Sequence, residues 1–243
     1  MQGLFSKVSI VAAVFAMSSA YAGDHGNAGD IASGKDIYMN GKGEVPACNS
    51  CHGQDAMGDD AMGTPRLAGQ SFAYIAKQLK DFAEDKRSDT TMYVMNTNAK
   101  GMSEQDMMDV AAYVESLEYD DLASSDMDRV KELGNPVGVR YLGKGIVQHG
   151  APERNVSACH SCHSYNGRGA APVYPMIGGQ KYVYLVNQLK QFRDGTRSND
   201  YMGQMRAVAK NMSDEDIYNA ATFLTSAPRT TEGNTRWPAN KPH

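Results

Sequence analysis

The sequence predicts an all-α chain built from two tandem helical units of one fold. Three observations predict it: the chain is duplicated at a near-constant offset, apolar residues recur at helical spacing in matching places of both halves, and no alternating apolar pattern is long enough for a useful strand.

The duplication is read from matched segments. Gly34-Lys35-Asp36-Ile37-Tyr38-Met39-Asn40-Gly41 has its counterpart in Gly143-Lys144-Gly145-Ile146-Val147-Gln148-His149-Gly150. Pro65-Arg66-Leu67-Ala68-Gly69-Gln70 corresponds to Pro175-Met176-Ile177-Gly178-Gly179-Gln180, and from there the halves run at a constant offset of 110. Tyr74, Ile75, Gln78, Leu79 and Phe82 mark a middle helix, repeated as Tyr184, Leu185, Gln188, Leu189 and Phe192. An irregular stretch follows, with Arg87-Ser88, Met92 and Met95 matched by Arg197-Ser198, Met202 and Met205. Ser103-Glu104-Gln105-Asp106 and Ser213-Asp214-Glu215-Asp216 then open a last helix, a capping serine ahead of acids in the first turn. Met107, Val110, Ala111 and Val114 form the apolar face behind one start; Ile217, Ala220, Ala221 and Leu224 form the other. Each unit is thus expected to be a bundle of three or four helices.

The organisation expected is a signal peptide at 1–22, units at 23–117 and 138–227, a linker at 118–137 and a polar tail at 228–243. The linker carries six acids against Arg129 and Lys131, with room for a short helix, and the tail holds three prolines. Neither is given a chemical role.

Cys48-Asn49-Ser50-Cys51-His52 and Cys159-His160-Ser161-Cys162-His163 use all four cysteines of the chain. A CxxCH pentapeptide is the signature of covalent haem c attachment. Two thiols three positions apart reach the two vinyl groups of one porphyrin, and the adjoining histidine coordinates the iron. A redox disulfide belongs in a βαβ context that is not visible here, and 107 residues between Cys51 and Cys159 far exceed zinc-ribbon spacing. The expected cofactors are therefore two covalently attached haem c groups, each wrapped in one helical unit, with His52 and His163 as proximal ligands.

The N-terminus fits export. Lys7 precedes an apolar stretch from Val8 to Met17, and Ala20-Tyr21-Ala22 supplies a small-x-small cleavage pattern. No stretch approaches the roughly 20 apolar residues of a membrane span. A cleaved leader places the mature protein in the periplasm. Residues 1–22 hold one lysine and no acid, so the mature chain carries a formal charge of −5, which argues against nucleic acid as a partner. Peripheral membrane association is left open.

The opposite face of each iron decides the chemistry: a thioether there stabilises ferrous iron and suits electron transfer, and an open position suits ligand or peroxide chemistry. His25, His149, His160 and His243 offer no matched pair, so methionines are the common candidates. Met102 and Met212 stand directly before the capping serines, where an apolar residue packs onto the helix. Between Met92/Met202 and Met95/Met205 the residues alone do not choose.

The whole mature chain resembles the dihaem cytochrome c4 family, two class I cytochrome c domains in tandem. The resemblance is carried by both CxxCH motifs, the two proline-to-Gly-Gln segments, and Met95-x-x-x-Ala99-x-x-Met102-Ser103 with Met205-x-x-x-Ala209-x-x-Met212-Ser213. It implies that Met95 and Met205 are the sixth ligands, with Met92 and Met202 the alternative pair. It also implies that the carbonyls of Pro65 and Pro175 accept the Nδ1–H of His52 and His163, and that the domains pack about a pseudo-twofold axis. This chain differs from the family in having Met102 and Met212 where leucine is usual, and its linker is long.

The function expected is that of an electron carrier with no catalytic residue, exchanging electrons with redox proteins such as a quinol-oxidising complex, a terminal oxidase or a dehydrogenase. The alternatives are a haem subunit held by a dehydrogenase, of the flavocytochrome sulfide dehydrogenase type, and a dihaem enzyme. An enzyme needs two unlike haems, which the matched surroundings of the two motifs disfavour. Tyr38, Tyr74, Tyr113, Tyr182 and Tyr184 are candidates for lining the haem pockets or packing the helices, and Lys77, Lys80, Lys181 and Lys190 for a docking face.

Overall fold

The structure is a computed structural model that describes residues 29–118 and 125–227. The expected leader and tail, His25, His243 and the linker acids Asp120 and Asp121 lie outside the described residues.

The first unit runs α1 (Ile31–Asn40), α2 (Asn49–His52), α3 (Phe72–Ala83), α4 (Val94–Lys100) and α5 (Glu104–Glu115). After α6 (Met127–Glu132), the second repeats the order as α7 (Arg140–His149), α8 (His160–His163), α9 (Tyr182–Asp194), α10 (Gln204–Ala209) and α11 (Asp214–Thr225). Periodicity expects three or four helices in each unit; five form, because α2, α4, α8 and α10 are too short to show a repeating apolar face. Extended backbone among the described residues pairs only in isolated bridges, Lys42–Val45 and Asp59–Thr64 with their counterparts Ala151–Val156 and Ala170–Tyr174.

Each unit closes by packing its first helix across its last. A glycine makes both crossings: a Cβ on Gly34 would lie 1.9 Å from the carbonyl oxygen of Asp109, and one on Gly143 1.8 Å from that of Asn219. Both last helices start in a full capping box, Ser103 with Asp106 and Ser213 with Asp216. Ile37, Tyr38, Ile75, Met107, Val110 and Val114 belong to the first core; Ile146, Val147, Leu185, Ile217, Phe223 and Leu224 belong to the second. The linker helix α6 drives Val130 into the second core, and Ser125 ties its start to Thr225 and to the N–H of Tyr182. Only its charged side is solvated.

The two units meet through reciprocal hydrogen bonds. Gln70 donates to the carbonyl of Met176 at 2.6 Å and accepts from its N–H at 3.1 Å. Its counterpart Gln180 does the same to Arg66, at 2.8 and 2.7 Å. Arg87 donates to Gln78 in its own unit and to Gln188 and Tyr184 in the other. Arg197 mirrors it, donating to Gln188, Gln78 and Tyr74. Each guanidinium also covers a phenylalanine ring of its own unit, Phe82 at 4.5 Å and Phe192 at 4.4 Å. Residues related by the offset of 110 thus exchange partners across the boundary, which is a pseudo-twofold arrangement.

Candidate functional site

In each unit a one-turn helix holds the attachment motif. Cys48 caps α2, which carries Cys51 and His52; Cys159 caps α8, which carries Cys162 and His163. A single turn places residues i and i+3 on one face, so both sulfurs of a pair and the adjoining imidazole can address one planar group. All four thiols are free. Burial pushes Cys48 and Cys159 up to about 11. A raised pKa at these two disfavours the thiolate that disulfide exchange and zinc binding call for.

Both histidines are buried, and each Nδ1 faces a proline carbonyl: His52 with Pro65 at 3.1 Å, His163 with Pro175 at 2.8 Å. A carbonyl only accepts, so Nδ1 carries the hydrogen and the Nε2 lone pair is left for a metal. Burial lowers both imidazole pKa values; the proline carbonyls oppose it without reversing it. The neutral, ligating form is therefore the one present at neutral pH. The loop after His52 is held by the Tyr38 hydroxyl, which donates to the carbonyl of Gly53, and by the Thr64 hydroxyl, which donates to that of Cys51.

The methionine pairs separate by environment. Met92 and Met202 are 88% and 81% exposed on left-handed backbone. Met95 in α4 is half-buried and packs against the first core, and Met205 in α10 is half-buried at the matching place. Met102 packs on the first core and Met212 lies within the second, as expected of residues preceding the caps.

The tyrosines divide. Tyr38 and Tyr113 pack on each other inside the first unit with ring centroids 5.4 Å apart, Tyr182 is buried in the second, and Tyr74 and Tyr184 serve the boundary between units. Burial pushes the Tyr184 hydroxyl up, and Arg87 and Arg197 outweigh it, leaving the pKa below the ordinary phenol value. Of the four lysines, Lys77, Lys80 and Lys190 pair with Asp81, Glu104 and Asp214. Gln70, Gln180, Arg87 and Arg197 belong to no chemical motif, and their strict repetition at the offset of 110 is the signal in the sequence that marks them.

The cytochrome c family model matches residues 31–118 and 151–228. The chain belongs to the cytochrome c family, as a dihaem protein of the cytochrome c4 type. It is 32% identical to cytochrome c4 of Pseudomonas aeruginosa over 199 residues, 81% of this chain and 88% of that one. It is 36% identical over 198 residues to the thiosulfate dehydrogenase electron acceptor of Stutzerimonas stutzeri, 80% of this chain and 86% of that one. Among solved structures, reduced cytochrome c4 from Pseudomonas stutzeri superposes with a TM-score of 0.66 at 30% identity, covering 82% of this chain and all of that one. A thiosulfate dehydrogenase of Marichromatium purpuratum superposes with a TM-score of 0.74 at 30% identity, covering 87% of this chain. The match spans only 43% of that longer protein.

This cytochrome carries two covalently attached haem c groups and acts as an electron-transfer protein rather than an enzyme. The residues present fit the group: two free thiols and one neutral imidazole with an available Nε2 stand together in each unit. No helix among the described residues is long and apolar enough to cross a membrane.

Proposed function

We propose that the chain is a periplasmic electron carrier whose two haems are ligated alike, by His52 with Met95 and by His163 with Met205. Cys48, Cys51, Cys159 and Cys162 provide the thioether links, and Pro65 and Pro175 hold the two imidazoles. The observation that carries this reading is the repetition of the whole constellation, from cysteine pair to proline carbonyl, in units joined by reciprocal hydrogen bonds. When bound, each haem supplies a one-electron iron couple, whose potential a thioether ligand raises. The half-buried Met95 and Met205 support that ligand, and the exposure of Met92 and Met202 weighs against them. The periplasmic assignment rests on the leader read at residues 1–22 and on haem attachment after export.

The electron donor we favour is a dehydrogenase that oxidises thiosulfate, because two relatives named as acceptors for that enzyme align over most of this chain. A respiratory complex or terminal oxidase then takes the electrons onward. Transient docking of this kind needs only a small interface. The likeness to part of a longer thiosulfate dehydrogenase favours a second reading, a haem subunit held by its dehydrogenase. Mixing the oxidised cytochrome with a thiosulfate dehydrogenase and its substrate tests the first reading. Rapid reduction of both haems, with free cytochrome eluting alone on gel filtration, supports a carrier. Co-elution as a stable complex supports the bound subunit, and no reduction rejects this donor.

A further inference from the structure

The two methionine-bearing segments are anchored differently. In the first unit Asn96, fully buried in α4, places Nδ2 2.9 Å from the carbonyl of Phe82, 2.7 Å from that of Arg87 and 3.1 Å from Asp85 Oδ1. Its Oδ1 accepts the N–H of Asp89 at 2.8 Å. Asp89 in turn accepts the N–H of Met95 itself at 3.3 Å. A second cluster lies over the same helix: the Tyr93 hydroxyl donates to Asp85, and Lys100 reaches Asp85 at 2.8 Å and the Tyr93 oxygen at 3.0 Å. Both Asp85 and Tyr93 occupy left-handed backbone, at φ 57° and 61°, where non-glycine residues are strained unless their surroundings hold them.

The second unit has glycine at both of those places, Gly195 at φ 83° and Gly203 at φ 71°. The position of buried Asn96 is taken by exposed Arg206, which reaches Asp200 at 2.7 Å, while Asp200 also accepts the Arg206 N–H at 3.0 Å. The position of Asp89 is taken by Asn199, which turns away to Gln78 and Asp81 at the domain boundary. One segment is therefore tied to α3 and the loop behind it by a buried network and clamped across two side chains. The other has no buried amide at that place: Arg206, itself partly exposed, pairs with the buried Asp200 carboxylate across Gly203, where glycine leaves the backbone freer. A buried, fully satisfied network such as that of Asn96 rigidifies its segment, whereas glycine adds backbone freedom.

We propose that Asp85, Tyr93 and Asn96 are positioning residues for the axial methionine of the first haem, and that the methionine of the second haem detaches far more readily. The inference rests on Met95 and Met205 being the axial ligands. Replacement of an iron-bound thioether by an external ligand requires the segment carrying it to open locally, and the opening frequency follows local stability. The two otherwise similar sites then differ in ligand exchange, with the second the point where an exogenous ligand enters.

The test uses the ferric holoprotein with excess imidazole, followed by stopped flow at the long-wavelength methionine-to-iron charge-transfer band. The band is expected to disappear in two phases of equal amplitude. Met205→Ala removes the fast phase and Met95→Ala the slow one. Asn96→Ser accelerates the slow phase roughly five- to tenfold, as expected for losing a buried hydrogen bond, and leaves the fast phase unchanged. Tyr93→Gly, which suits the left-handed backbone and keeps the unit folded, accelerates it in the same direction. A single phase overturns the inference, as does a slow phase that neither variant moves or a fast phase lost in Met95→Ala. Absence of the band from the unaltered protein is a separate result: it overturns the methionine assignment, and the inference with it.

Discussion

At each attachment site one hydrogen bond selects the chemistry of a histidine. The proline carbonyl takes the Nδ1–H, burial keeps the ring neutral, and Nε2 is left free for the iron that we propose it would hold. The two histidines stand out in the sequence because covalent attachment fixes their spacing to the cysteine pairs, whereas the two prolines are marked only by the family resemblance. The sixth ligand we propose does not stand out there, because Met92 and Met95 lie three residues apart in a short irregular stretch and their difference in burial depends on the fold. Met92→Leu should therefore leave the methionine-to-iron band of the ferric protein intact, and Met95→Leu should remove half of it. Asp106 gives a prediction in pH. Burial pushes its pKa up, but the ion pair with Lys42 and the hydrogen bonds of Ser103 outweigh that and hold it below the ordinary carboxylate range. A depressed pKa adds stability that is present above the unfolded value and is lost as pH falls through the folded one. In urea unfolding across a pH series, Asp106→Asn should be less stable than the unaltered protein at neutral pH, with the gap closing in acid.

At the scale of the element, apolar spacing marks the middle helices α3 and α9 and the last helices α5 and α11, and Ser103 and Ser213 open capping boxes where the sequence places helix starts, whereas α1 and α7 carry no such mark. Ser213→Ala should cost about 1 kcal/mol in chemical unfolding, the usual worth of an N-cap. The short helices α4 and α10 were read as irregular because six or seven residues complete barely two turns. The close crossing of first and last helices was equally hidden, since glycine carries no periodic signal. Yet Gly143 lies where a methyl group would overlap the Asn219 carbonyl at 1.8 Å. Gly143→Ala should force α7 and α11 apart and cost roughly 3 kcal/mol or more in the same measurement, since a backbone atom rather than a flexible side chain must move.

At the scale of the whole molecule, the duplication was visible in the sequence, and with it the two domains and two haems. Their docking was not, because Gln70 and Gln180 bond backbone groups more than 100 residues away, which no local pattern encodes. Gln180→Ala strands the N–H and carbonyl of Arg66, a buried residue, and such losses cost about 1–3 kcal/mol per group. Denaturation of that variant should split into two transitions, one for each unit, where the unaltered protein shows closer coupling. The central claim is that matched constellations make two matched haems for electron transfer. A spectroelectrochemical titration of the mature protein with its haems attached tests it most directly. The account predicts two one-electron waves, both at high potential, with low-spin spectra unaltered by carbon monoxide in the reduced protein. One low-potential wave, or a haem that takes up carbon monoxide at once, would contradict it and point to a catalytic site at that iron.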